Sequence, residues 1–451
     1  MTKNINMTQG HPAKLMLRFA LPLMAGNIFQ QLYTVVDTAI VGRGVGMEAL
    51  AALGTVDWLN WMLIGICQGF TQGFSVKMAQ KFGQKDEEGL KQTIAASFFL
   101  SLIITLILAV ASQVTLPLFL ELLGVPQELR VTATEYTRIL FLGIPAVMFY
   151  NFCASVLRSV GDSQTPLRAM ILAAVTNIFL DCIAVFSLGW GVVGAAAATV
   201  AAQLLSGVFC ARKIWKSDML RFDRQHFAKG RRESWYLLKL GTPMAAQNII
   251  ISVGGMALQS IVNSFGTVFI AGFTATNKLY GLLEIAAVSY GFAVTTYIGQ
   301  NFGAHKWKRI RAGTSWAVLV SLITSVVIAG VMLLFGRQIT MLFISADTVE
   351  LEKAAGETAY RYLTVMGLNL PVLYLLYVYR SALQGMGNML IPMLSGGVEF
   401  IMRVGLAFYA GAAAWQEGLF LAEVSAWAGA ALLLAVAYYI SAAKLKKPAV
   451  V

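Results

Sequence analysis

Apolar residues fall along this chain in twelve long runs, at about 15–41, 50–76, 93–118, 135–158, 165–188, 190–214, 235–263, 268–299, 313–336, 354–384, 391–411 and 415–443. Crossing the hydrocarbon core of a bilayer takes about 20 such residues in helical form. No run alternates with period two over any length, so the pattern predicts helices and not barrel strands. The expected class is an all-α integral membrane protein with twelve transmembrane helices. Composition agrees: the chain is 58% hydrophobic and 12% charged, against about 25% charged in soluble domains.

The net charge of +12 changes the picture only through its placement. With the N-terminus cytoplasmic, 26 of the 34 Lys and Arg residues fall on the cytoplasmic side, six fall outside, and Lys278 and Arg403 lie within spans. Residues 212–239 alone hold nine, whereas the outer turns 187–192 and 263–267 hold none. An even number of spans brings Lys444, Lys446 and Lys447 back inside. This is the positive-inside pattern. It predicts a multi-pass protein of the inner (cytoplasmic) membrane with both termini cytoplasmic, and it accounts for the basic balance without nucleic acid. Lys3 and Lys14 before the first run, with Arg18 at its start, mimic a signal peptide. The run is too long and lacks a small-residue cleavage site, so it reads as a retained helix. Cys67, Cys153, Cys182 and Cys210 all fall in apolar runs and read as buried thiols; His11, His226 and His305 lie in or beside basic loops and read as solvated.

The two halves resemble each other. Leu17-Arg18-Phe19-Ala20-Leu21-Pro22 matches Leu238-Lys239-Leu240-Gly241-Thr242-Pro243, and Asn27 falls on Asn248. Ala79-Gln80-Lys81-Phe82-Gly83 falls on Gly299-Gln300-Asn301-Phe302-Gly303, and later Pro145, Gly161 and Pro166 fall on Pro371, Gly387 and Pro392. Six spans return the chain to its starting side, so the repeat is parallel. Such repeats place a cavity between two bundles and support alternating access by rocking. The predicted division is an N-terminal six-helix bundle over 1–214, a cytoplasmic basic linker over 215–234 and a C-terminal six-helix bundle over 235–451.

The repeat breaks at its most polar positions. Asp37 corresponds to Leu258, Asn177 to Arg403 and Asp181 to Ala407, so the carboxylates are not scaffold features. A charged side chain at mid-bilayer costs about 2.5–3.5 kcal/mol on insertion scales and usually marks an ion or substrate path. Asn177 and Asp181, four residues apart, share a helical face. Two carboxylates near each other in a low-dielectric bundle cannot both ionise cheaply, so the pair can take up and release a proton. Na⁺ is the alternative, because hard ions favour Asp, Asn and Thr oxygens, and Thr199 in the sixth run can add a hydroxyl. A purely interhelical hydrogen-bonding role is the competing account, strongest for Asn177 and Thr199. Pro22, fifteen residues before Asp37, kinks its helix as a hinge or as a static bend.

In the second half, Lys278 and Glu284 do not share a face, and Glu284 near mid-span is a candidate contact for a cationic substrate. Glu399 and Arg403, four apart, are expected to pair with each other. Arg158 and Arg380 at cytoplasmic helix ends are expected to snorkel. Gln30, Tyr33 and Asn151 are candidates for lining a cavity in the first half. No cofactor motif and no His-Glu, Ser-His or nucleotide-loop constellation of an enzyme occurs.

Pro22 with Gln30, the stretch Val36-Asp37-Thr38-Ala39-Ile40-Val41-Gly42, the stretch Arg158-Ser159-Val160-Gly161-Asp162-Ser163-Gln164-Thr165-Pro166 and the six-plus-six duplication together resemble the multidrug and toxic compound extrusion (MATE) family, over nearly the whole chain. Within it the DinF-like and MepA-like bacterial and archaeal branch is the most similar. The resemblance implies two pseudo-symmetric six-helix bundles forming a V that opens outward or inward. It implies secondary active export of bulky, often cationic, lipophilic small molecules by antiport with H⁺ or Na⁺. It implies cation coupling at Asp37, Asn177, Asp181 and Thr199, and bending at Pro22. The NorM-like branch has a carboxylate in its seventh helix, and none occurs here between Trp235 and Asn263. The alternative within the wider superfamily is a flippase or exporter of a lipid-linked or other endogenous amphiphile. Such proteins favour arginine-rich cavities, and only Lys278 and Arg403 are clearly intramembrane here.

Overall fold

The structure, a computed structural model, describes residues 5–341 and 349–445. Lys3, Lys446 and Lys447 lie outside the described residues. The α-helices in chain order are α1 (Pro12–Gly44), α2 (Met47–Gly83), α3 (Glu87–Leu122), α4 (Gln127–Leu142), α5 (Ile144–Ser159), α6 (Gln164–Asp181), α7 (Gly191–Trp215), α8 (Arg224–Gly230), α9 (Ser234–Val262), α10 (Thr267–Gly303), α11 (Trp307–Met341), α12 (Val349–Gly385), α13 (Leu390–Ala412) and α14 (Gln416–Lys444). Among the described residues every regular element is helical. With α4 and α5 taken as one broken span and α8 set aside as short, these give the twelve segments expected from the apolar runs.

Among the described residues nine helical stretches are long and apolar enough to cross a membrane, and the bent pair α4–α5 makes ten. The helices α1 (33 residues) and α2 (37 residues) are as long but carry more polar groups. Asn27, Gln30, Gln31 and Asp37 interrupt α1, and Asp57, Asn60, Gln68 and Gln72 interrupt α2.

The fourth run is not one helix. It bends by 43° between α4 and α5, because Gly143 ends α4 and Pro145 follows it without an N–H to continue the ladder. The corresponding Pro371 lies inside an unbroken α12. There the residue matching Gly143 is Asn369, whose amide donates to the Val365 carbonyl at 2.9 Å. The fifth run also changes pitch: α6 ends at Asp181 and continues as a π-helical segment, Cys182–Ser187. Cys182 in that segment is exposed, unlike the buried thiol expected; Cys67, Cys153 and Cys210 are buried.

The chain packs as two units, Met1–Asn6 with Leu21–Ala245, and Met7–Ala20 with Ala246–Val451. The changes of unit inside α1 and α9 fall within two residues of Pro22 and Pro243. Residues 215–234, read from sequence as a linker, pack into the first unit. The rings of Phe222 and Phe227 meet Phe98 of α3 at 5.8 and 6.3 Å, and Thr93 donates to Glu233 at 2.8 Å. His226, expected to be solvated, is 12% exposed and sits between Asp223 at 2.6 Å and Glu88 at 3.1 Å. In the second unit, Asn301 and Arg309 donate to the Met7 carbonyl at 3.0 and 3.1 Å, and Lys306 donates to that of Thr8 at 2.9 Å.

The backbone repeats as the sequence does. Gly161 and Gly387 share left-handed φ values of 85° and 88°, and Lys85 and His305 share φ values of 60° and 55°. Side chains at those tight turns differ. Asp86 caps α3, accepting from the Gly89 N–H at 2.8 Å and from Lys81 at 2.7 Å, whereas its counterpart is Lys306. The Lys81 ammonium, with the Gly89 N–H, holds the Asp86 carboxyl below its usual range. Asp86→Ala should therefore cost about 1 kcal/mol of stability near neutral pH. A lowered value means the contribution is present above the unfolded carboxylate value of about 4 and disappears as pH falls through the folded one. Thermal unfolding of both proteins across that range should show the difference closing at low pH.

Candidate functional site

Asp37, Asn177, Asp181 and Thr199 all lie in the first unit, on α1, α6 and α7. Asn177 and Asp181 are fully buried, as their i, i+4 spacing on an inward face requires. Asp37 is half-buried, and its carboxyl lies against that of Asp181 closely enough for one shared proton to form a hydrogen bond between them. Asn177 donates from Nδ2 to the Thr199 hydroxyl at 3.3 Å, which leaves its Oδ1 free. Among the described residues no donor stands in hydrogen-bond geometry to Asp37 Oδ1, Asn177 Oδ1 or either oxygen of Asp181. A buried acceptor left unsatisfied costs about 1–3 kcal/mol, more when charged. This cluster therefore favours a proton or a hard cation.

Tyr33, one turn before Asp37, is buried, and its hydroxyl meets the amides of Gln203 and Gln30. Tyr136 on α4 is also buried and lies within the electrostatic reach of Asp37, Asp181 and Tyr33. Gln203 and Tyr136 were not singled out from sequence. Gln203, one turn beyond Thr199 on α7, could have been found from helical spacing; Tyr136 carries no such signal. Asn151 is buried on α5 and donates to its own helix at the Val147 carbonyl, 2.9 Å away. Pro22 is buried within α1.

The second unit holds ion pairs that differ from those expected. Glu399 does not pair with Arg403. It pairs with Arg380, and Arg403 pairs with Glu423 of α14 at 2.8 Å. Arg380 does not snorkel; it is only 7% exposed. The four-residue spacing was compatible with a Glu399–Arg403 pair, but neighbouring helices α12 and α14 offer each charge a partner across the packing interface. Arg158 is likewise half-buried and donates to Ser155 at 3.0 Å. Glu284 is half-buried in α10, accepts from the Tyr377 hydroxyl and meets Tyr280. Lys278 is exposed. Both buried guanidiniums of the second unit are thus committed to carboxylates, which leaves neither for the pyrophosphate of a lipid-linked substrate.

A polytopic helical bundle with a repeated six-span unit, and in one copy a pair of carboxylates without a cationic partner, has the construction of a secondary transporter. The MatE family model matches twice, at residues 22–183 and 243–409, and the chain belongs to the MATE family, whose members are transporters and not enzymes. The probable multidrug resistance protein YpnP of Bacillus subtilis is 30% identical over 399 residues, covering 88% of each chain. The multidrug export protein MepA of Staphylococcus saprophyticus is 24% identical, covering 65% of each. Among solved structures, that of MATE in complex with MaL6 has a TM-score of 0.91 at 24% identity, covering 99% of this chain and 100% of that one. An outward-facing multidrug resistance MATE transporter of the MOP superfamily gives 0.90 at 24%, with the same coverage. At these identities the solved structures speak for the fold alone.

Proposed function

We propose that this protein exports lipophilic, often cationic small molecules across the inner membrane, driven by inward movement of H⁺ or Na⁺ through alternating access. The similarity to multidrug export proteins supports the cargo class. The observation that carries the coupling is the donorless cluster of Asp37, Asn177 and Asp181 oxygens. Their donor set suits a hard cation, and a proton shared between Asp37 and Asp181 suits it equally. Thr199 orients Asn177 so that its carbonyl oxygen faces the ion and not the hydroxyl. Ion uptake removes the cost of the uncompensated pair and so favours the arrangement in which α1 and α6 stay together. Pro22, near the point where α1 changes unit, is the hinge in this reading, and Gln30, Tyr33, Asn151 and Glu284 contact cargo.

Efflux of a fluorescent organic cation from vesicles holding the full chain tests this, with pH and sodium gradients imposed separately. One gradient should drive export and the other should not. Export unaffected by either would overturn the antiport for that cargo.

A further inference from the structure

The positions of the second unit that correspond to the acidic cluster of the first carry other side chains. In the register of the repeat, Asn177 corresponds to Arg403, Asp181 to Ala407, Ala197 to Glu423 and Thr199 to Ser425; on α9, Gly254 replaces Tyr33 and Leu258 replaces Asp37. Arg403 donates from Nη1 to the Ile251 carbonyl of α9 at 3.5 Å, and its Nη2 lies 2.8 Å from Glu423 of α14. A methyl group on Gly254 would stand 3.3 Å from the same Nη1. The guanidinium therefore lies near bare backbone at the position where the first unit carries the Tyr33 ring. The other polar groups facing it are Tyr280 of α10, Tyr362 of α12 and Glu399 of α13, and Glu399 already has Arg380.

A positive charge thus bridges α9, α13 and α14. The three corresponding helices of the first unit, α1, α6 and α7, bring Asp37, Asn177, Asp181 and Thr199 together. We propose that Arg403 is a tethered cation that permanently fills the second unit's copy of the ion site, which confines ion exchange to the first unit. This rests on the coupling proposed for Asp37 and Asp181. The chemistry is direct. A guanidinium stays charged throughout the physiological range and is held covalently. The half-buried carboxylate of Glu423, 15% exposed, is stabilised by a positive partner, and this one cannot leave. The second unit keeps its packing and loses the exchange.

The consequence is that removing the tethered cation should create a site for a free one. The test uses the purified full chain at pH 8, with Asp37→Asn and Asp181→Asn silencing the first unit. Thermal unfolding is followed in choline chloride against millimolar guanidinium or sodium chloride at constant ionic strength. Adding Arg403→Ala should produce a saturable rise of a few degrees with guanidinium or Na⁺, because a ligand that binds only the folded state stabilises it. The same background with Arg403 retained, or with Arg403→Lys, should show no such rise, and Arg403→Ala with Glu423→Gln should lose it. A folded Arg403→Ala protein indifferent to both cations overturns the proposal. So does an Arg403→Ala protein that cannot be recovered folded even with guanidinium present, since the added cation should replace the tethered one. Gradient-driven export by the Asp37→Asn, Asp181→Asn protein with Arg403 intact is measured alongside. If that protein still pumps, the coupling reading fails; if it is inactive and Arg403→Ala binds nothing, only the tethered-cation proposal fails.

Discussion

Asp181→Asn should reduce gradient-driven efflux to the level of passive leak while leaving the protein inserted and as stable as before, or more so. The two outcomes diverge because the residue is unsatisfied where it stands. Both Asp181 oxygens are buried without a donor, beside the carboxyl of Asp37. An asparagine brings its own N–H groups to that carboxyl and removes one charge from a low-dielectric interior. Relief of unsatisfied acceptors is worth roughly 1–3 kcal/mol. A residue that only tied α1 to α6 would behave in the opposite way, with stability falling and transport following in proportion. Efflux from vesicles together with thermal unfolding of the same preparation separates the two. Loss of stability with transport retained would remove Asp181 from the coupling machinery. Asp37→Asn should cause the same loss of transport, since the pair acts through one proton or ion held between both carboxyls.

Arg380→Met should be the most destabilising single change outside that cluster. Arg380 and Glu399 are 7% and 4% exposed and paired with each other. Removing one partner strands the other charge in the interior, which costs about 3–5 kcal/mol. The double change Arg380→Met with Glu399→Leu should recover most of that loss, because a buried pair replaced by apolar groups of similar volume is often neutral or better. Thermal unfolding of the three proteins forms a complete cycle. Additive losses in the double variant would mean that the two groups are stabilised by other partners. The Ser395 hydroxyl, 3.5 Å from Arg380, is too weak a contact to take over that role.

The number of spans, their helical nature and the duplication were all legible in the chain because the bilayer imposes them locally. A segment of apolar residues in lipid has to satisfy its own backbone, and the helix does that without reference to distant residues. The anomalous cost of Asp37, Asn177 and Asp181 was visible for the same reason: a polar side chain in an apolar run is a fact about the run. Their absence from the second repeat was a comparison of one half with the other. Sequence matched Pro145 to Pro371 as equivalent positions of the repeat, but not that only the first would break its span, since that depends on Gly143 against Asn369 and on what packs beside them.

Partner choice was decided only by the tertiary structure. Glu399 had Arg403 at the right spacing on its own helix, yet α12 and α14 each presented a closer opposite charge. Arg380 looked like a snorkelling end residue and is buried, because the interior of the second unit holds a carboxylate to receive it. The stretch 215–234 looked like a charged linker, and its phenylalanines and His226 dock it on α3. Short-range rules fix which residues form a helix and which face they occupy. Which oxygen meets which cation depends on how separate helices pack, as Arg380 of α12 meets Glu399 of α13 and Arg403 of α13 meets Glu423 of α14, and the chain order carries little trace of that meeting.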